Sequence, residues 1–133
     1  MEQGYGDALS RPFWEATERK EFSLQVCGDG HYQHLPREFC ITCNKSVTWV
    51  RASGRGTIYS FTEVCVQRGG SQVGFSTSFE APYIVALVDL EEGPRVLTNI
   101  LGSDCLIGDS VRVSWYDRGD DLPPLPVFMV VGK

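Results

Sequence analysis

From residue 56 onward the chain alternates short apolar runs with turn sequences. "GTIYSFTEVCV" (56–66) sets Tyr59 and Phe61 against Ile58 and Val64 in a stretch rich in β-branched and aromatic residues. "PYIVALVDL" (82–90) is nearly all apolar and short, as a buried strand is. "EEGP" then makes a turn at hairpin distance from "PRVLTNILG" (94–102). "DSVRVSWYD" (109–117) places Val111, Val113 and Trp115 on one face, and "LPVFMVV" (125–131) closes the series. Five strands at regular spacing, with no long helix between them, predict a small antiparallel barrel over residues 51–133. The fold class expected is therefore mainly β.

The pattern upstream is different. "SRPFWEATERKEF" predicts a helix from Pro12 to Phe22, with Ser10 as cap and Pro12 in the first turn. Its body is polar apart from the adjacent pair Phe13 and Trp14, with Phe22 just beyond. Two neighbouring large rings do not fit one narrow stripe, so one of them is expected to meet another surface. Residues 1–23 thus read as a frayed tail and a partner-binding helix led by Phe13, Trp14 and Phe22. Residues 24–50 form a separate cysteine segment, flanked by the short strand candidates "LQV" and "SVTWV".

That segment carries the one pattern with metal chemistry. In "CGDGHYQHLPREFCITC" (27–43), Cys40 and Cys43 form a Cys-x-x-Cys pair, but only Cys27 answers it upstream. Gly30 stands where a second upstream thiolate belongs. His31 is the nearest side chain able to complete a tetrahedral zinc shell, since imidazole and thiolate are both zinc ligands. Asp29, His34, a water or a partner's side chain are alternative fourth ligands, and a ribbon held by packing alone is another outcome. No general base converges on the segment, so any metal is expected to be structural.

Charge narrows the function classes. The formal net charge is −5 over 133 residues, with 42% hydrophobic and 22% charged residues, and Lys and Arg are scattered. Such a chain repels phosphate backbones unless it carries a local basic patch. Residues 1–11 hold acids and glycines in place of an apolar core, and no run approaches the ~20 apolar residues of a membrane span. Five cysteines, three of them clustered at metal-like spacing, suit a reducing cytoplasm better than a disulfide framework. A cytoplasmic location with no membrane contact is expected.

The order of parts, "PFWEATERKEF", a knuckle segment, "SGRGTIYS", "PYIVALVDLEEGPRVLTNILG", "IGDSVRV" and "LPVFMV", resembles the DUF35 family over roughly residues 11–131. The resemblance implies a rubredoxin-like zinc ribbon followed by a five-stranded OB-fold barrel. It also implies a ribbon of two Cys-x-x-Cys knuckles, from which this chain departs at Gly30. Members look like non-catalytic accessory subunits associated with acyl-CoA chemistry. They pair with thiolase-fold acyltransferases, lipid-transfer-type aldolases or MaoC-type hydratases, hold the complex together, and help shape the passage for the CoA chain. The implied cofactor is structural Zn²⁺, with no organic cofactor. On this reading Arg51, Arg55, Arg68, Phe75 and Phe79 are the residues for an acyl-CoA passage, with the long 67–81 loop near the substrate entrance.

Other chemistry is sparse. Cys65 and Cys105 read as small buried hydrophobes, since both histidines sit in the knuckle segment and no Cys/His dyad can form around either. Glu91 and Glu92 sit in a predicted tight turn, where solvation keeps them ordinary. No catalytic residue is expected. The competing reading, a single-stranded nucleic-acid-binding OB-fold, needs a basic groove with stacking aromatics, and the charge disfavours it.

Overall fold

In a computed structural model the description covers residues 7–65, 82–102, 104–119 and 121–132. One helix, α1 (Arg11–Glu18), is followed by eight strands. Strands β1 (Ser23–Cys27), β2 (Tyr32–Gln33) and β3 (Val47–Arg51) form a small sheet in the order β2-β1-β3. Strands β4 (Arg55–Val64), β5 (Tyr83–Leu90), β6 (Arg95–Ile100), β7 (Ser110–Tyr116) and β8 (Leu125–Val130) close a barrel in the order β4-β5-β6-β8-β7. Every pairing in it is antiparallel except β6 with β8, where Ile100 faces Phe128. Five strands with this one crossover are the OB arrangement, and the mainly β fold class expected from the sequence is the one observed.

The barrel follows from side-chain alternation. Ile84, Ala86, Val88 and Leu90 point inward from β5, and Ile58, Val96, Ile100, Val111 and Phe128 meet them. Pairing between β4 and β5 slips between Ile58 and Ser60. That bulge turns Tyr59 out to the surface, where the Arg95 guanidinium lies 3.4 Å from its ring centroid. Gly56, from the "SGRGTIYS" stretch, lies beneath β5, where an added Cβ would come within 2.6 Å of the Asp89 carbonyl oxygen.

Helix α1 is shorter than its sequence suggests. Lys20 adopts a positive φ of 59°. The Lys20 N–H donates to the Thr17 carbonyl and the Glu21 N–H to the Ala16 carbonyl, both at 2.9 Å. This is a Schellman stop with lysine in the seat that glycine usually takes, so no glycine announced it. The helix starts at Arg11, one residue before the expected Pro12, and a turn from Asp7 to Ser10 leads into it. Asp7 and Ser10 exchange bonds reciprocally: the Ser10 N–H donates to Asp7 Oδ1 at 2.8 Å, and the Asp7 N–H donates to Ser10 Oγ at 3.2 Å. The Ser10 N–H, and then the Ser10 hydroxyl, hold the Asp7 carboxyl below its ordinary range.

Helix, small sheet and barrel share one core. Phe13 of α1, with Phe22 and Leu24 from the start of the small sheet, joins the barrel interior through Phe128. The Phe22 ring sits 5.9 Å from both Phe13 and Phe128, edge-on to each. Trp14, Trp49 and Trp115 pack around this core while half-buried.

Candidate metal centre and the surfaces around it

The small sheet brings two tight turns face to face. The first runs from Cys27 to His31, and the Gly30 N–H donates to the Cys27 carbonyl at 3.0 Å. Gly30 has φ of 86°, and a Cβ there would meet nothing within 4 Å. Backbone conformation rather than space therefore selects glycine, and the left-handed step swings His31 round toward Cys27. The second turn runs from Cys40 to Lys45, with the Asn44 N–H on the Cys40 carbonyl at 2.8 Å and Asn44 at φ 63°.

Cys27, His31, Cys40 and Cys43 converge, with their ligand atoms all within 4.8 Å of one another. Cys27 Sγ lies 3.3 Å from His31 Nδ1 and 3.6 Å from Cys43 Sγ, and Cys40 Sγ lies 3.8 Å from His31 Nδ1. A tetrahedral zinc with bonds of ~2.3 Å to sulfur and ~2.0–2.1 Å to nitrogen has edges of roughly 3.5–3.8 Å. These three separations match the edges of such a tetrahedron. Backbone N–H groups also point at the sulfurs, from His31 to Cys27 Sγ and from Thr42 to Cys40 Sγ, each at 3.4 Å. The Cys40 thiol is lowered to about 6, first by the N–H of Cys43 and also by that of Thr42. His31 is raised by its bonds to Cys40 and Cys27. This set of donors can hold a metal ion.

The alternative ligands lie elsewhere. The Asp29 carboxylate is engaged by Lys45 Nζ at 2.9 Å on the surface. His34 turns away from the thiols into the core, 5.9 Å from the Phe13 ring and 6.1 Å from Phe22. Its Nδ1 is buried without a hydrogen-bond partner, and burial lowers its pKa.

The aromatic face expected to meet a partner is largely internal. Phe13 is 7% exposed and Phe22 only 3%, because both rings fill the seam between small sheet and barrel. Trp14 keeps one half-exposed face, with Arg118 5.4 Å from its ring. The surface is apolar instead on the limb joining the two turns. Leu35 is 61% exposed, Ile41 72%, Phe39 47% and Tyr32 39%. The sequence reading missed these residues, which are spaced too irregularly to form a stripe.

Arg51 ends β3 and Arg55 begins β4, both exposed. Arg55 lines an open groove of about 820 Å³ and pairs in register with Arg112, which the sequence reading did not single out. Asp89 and Glu91 line the same groove. Arg68, Phe75 and Phe79 lie outside the described residues. Cys105 is buried as expected. Cys65 is exposed, since β4 has ended at Val64, and its Sγ lies 3.9 Å from Glu63.

Comparison with known proteins agrees with this architecture. Residues 49–116 match the family model of the ChsH2 C-terminal OB-fold domain. The chain is 35% identical over 127 residues to the 3-oxo-4,17-pregnadiene-20-carboxyl-CoA hydratase alpha subunit of Mycobacterium tuberculosis, covering 86% of this chain and 38% of that protein. It is 34% identical over 123 residues to a probable enoyl-CoA hydratase alpha subunit of Thermomonospora curvata, covering 87% and 36%. It thus spans little more than a third of the length of these two relatives. A DUF35 domain-containing scaffold protein of Methanocaldococcus jannaschii is 30% identical over 103 residues, which is 71% of this chain and 67% of that one. A solved Ltp2-ChsH2(DUF35) aldolase superposes with a TM-score of 0.79 at 29% identity, covering 95% of this chain and 97% of the matched chain. With the barrel matched, and a small sheet carrying a Cys/His cluster placed before it, the chain belongs to the DUF35 family.

Proposed function

We propose that the protein is a non-catalytic accessory subunit that binds an aldolase or acyltransferase of thiolase-type fold acting on acyl-CoA or ketone-type substrates. The observation that carries this reading is the match along nearly the whole chain to the DUF35 component of an aldolase, joined to a scaffold protein among its relatives. The chain's own chemistry agrees with it. Among the described residues the metal-type cluster has four protein donors and leaves no position for substrate. Its role is that of a clip, with Zn²⁺ held by Cys27, His31, Cys40 and Cys43 and supplying folding energy to a sheet too small to stand alone.

In this role the helix, ribbon and barrel (1–23, 24–50 and 51–133) serve docking and substrate passage. Arg55 and Arg112, which share one groove, and Arg51 are proposed to meet the phosphates of CoA; Arg68, Phe75 and Phe79 are proposed for the same acyl-CoA passage from the sequence alone. The reacting groups belong to the companion. No helix among the described residues is long and apolar enough to cross a membrane, and the cytoplasm is the proposed compartment.

The test is purification of the tagged chain at native expression level, with its companions identified by mass. An aldolase-like or thiolase-like protein in comparable amount is the expected result. Recovery of the chain alone, or with nucleic acid, overturns the reading.

A further inference from the structure

The exposed limb between the two turns of the metal cluster is held unusually firmly from within. Gln25 and Gln33, only 3% and 5% exposed, face each other from β1 and β2. Gln33 Nε2 donates to Gln25 Oε1 at 2.7 Å, and that oxygen also accepts the Arg37 N–H at 2.9 Å. Gln25 Nε2 donates to the Arg37 carbonyl at 3.0 Å, and the Ile41 N–H donates to Gln33 Oε1 at 3.1 Å. Two buried amides thus replace a sheet partner for the limb backbone and fix its path from Arg37 to Ile41. Cys40 anchors the same limb to the metal cluster.

A loop fixed this way pays little entropy on binding, and what it presents is apolar. Tyr32, Leu35 and Ile41, with Arg37, Pro94 and Arg95, line a groove of about 260 Å³ between the small sheet and the barrel. At ~30 Å³ per water this has the volume of roughly nine waters, the scale of one or two side chains. Among the described residues no acidic side chain lines it. Glu38 lies on the limb outside the lining, and Asp89 is already engaged by Arg95, at 2.6 and 3.2 Å. Arg37 has no ion pair among the described residues. On a chain of net charge −5 the groove is a local site of positive charge. Tyr and Arg are enriched in binding hot spots, and here Tyr32 and Arg37 stand beside Leu35 and Ile41 around a concave centre.

We propose that this groove is the docking site for the companion subunit, which inserts an apolar side chain beside a carboxylate that pairs with Arg37. The proposal rests on the accessory-subunit reading. It replaces the α1 aromatic face, whose rings are mostly internal, with the 35–41 limb.

The experiment compares binding of the purified aldolase-type companion to the wild-type full chain and to Leu35→Asp, Ile41→Asp and Arg37→Glu. All three positions are exposed, so thermal stability and metal content are expected to stay unchanged. Each aspartate variant is expected to weaken binding at least tenfold, and Arg37→Glu severalfold with a loss of salt dependence. Ile107→Asp, equally exposed but outside the groove (67%), is the control and is expected to bind normally. If wild type and all variants bind alike, the groove assignment fails while the accessory reading stands. If wild type binds no such companion, both fail. If the chain alone self-associates and Ile41→Asp abolishes this, the occupant is a second copy and the companion assignment is overturned.

Discussion

Replacing Phe22 by alanine separates the two roles open to this ring. The sequence offers Phe22 as part of a partner-binding face, but the structure places it at the meeting point of all three parts of the chain. Its ring leans edge-on against Phe13 and Phe128 and lies beside His34, and it is 3% exposed. Deleting a buried Phe ring costs about 3–5 kcal/mol, from lost transfer energy and an unfilled cavity. The upper part of that range is expected here, because the edge-on rings on both sides belong to different elements and cannot close the gap together. A chain of this size has roughly 5–15 kcal/mol in total. With a urea slope of about 2 kcal/mol/M, the midpoint is expected to fall by about 2 M.

The assay is urea unfolding of the isolated chain with its metal, followed by tryptophan fluorescence. Trp14→Ala is the comparison. A half-buried indole covers roughly 100 Å² of apolar contact, so at about 25 cal/mol/Å² its loss is expected near 2.5 kcal/mol. A Phe22→Ala chain that loses less than 1 kcal/mol yet no longer binds its companion would refute the shared core and return the ring to the partner.

Two further predictions concern the histidines. His31→Ala is expected to lower zinc affinity at least tenfold in chelator competition while His31→Cys retains it, whereas full zinc retention by His31→Ala would remove His31 from the ligand set. His34 is half-buried with its Nδ1 covered, and burial lowers its pKa, so the unfolded chain binds the proton first and stability is expected to decline as pH falls through about 6.5. His34→Phe removes that part of the acid decline, and by eliminating an unpartnered buried nitrogen it is expected to raise stability at pH 7 by about 1 kcal/mol. An unchanged pH profile in urea unfolding contradicts this account.

The barrel was legible because its information is local and periodic. The short apolar run of 82–90 and the alternation of 109–117, with "EEGP" between strands, leave little choice of element. The cluster was legible through spacing, and His31 was found because it is the nearest side chain able to fill the gap that Gly30 leaves. What escaped depends on unusual local chemistry or on long-range contacts. Lys20 ends the helix in a left-handed step that sequence rules assign to glycine. Phe13 and Phe22 look like spare aromatics until β8 brings Phe128 between barrel and ribbon. Gln25 and Gln33 look like surface polar residues, and only the return of the 37–41 backbone over them makes them buried supports.

The shared core also bears on what the cluster is for. A three-stranded sheet with a two-residue edge strand buries too little to hold its own shape. Leu24 and Phe22 tie one end of it to the barrel core, while Cys27 and Cys40 at the end with the two turns are held by the cluster. Metal loss is therefore expected to loosen the far end and the 35–41 limb first, leaving the barrel folded. On the proposed reading the protein has a rigid base and a docking limb whose order depends on its clip. Chelation should accordingly abolish companion binding before it lowers the main unfolding transition. Simultaneous loss of both would mean that the ribbon and barrel are a single cooperative unit and that the clip supports the whole fold.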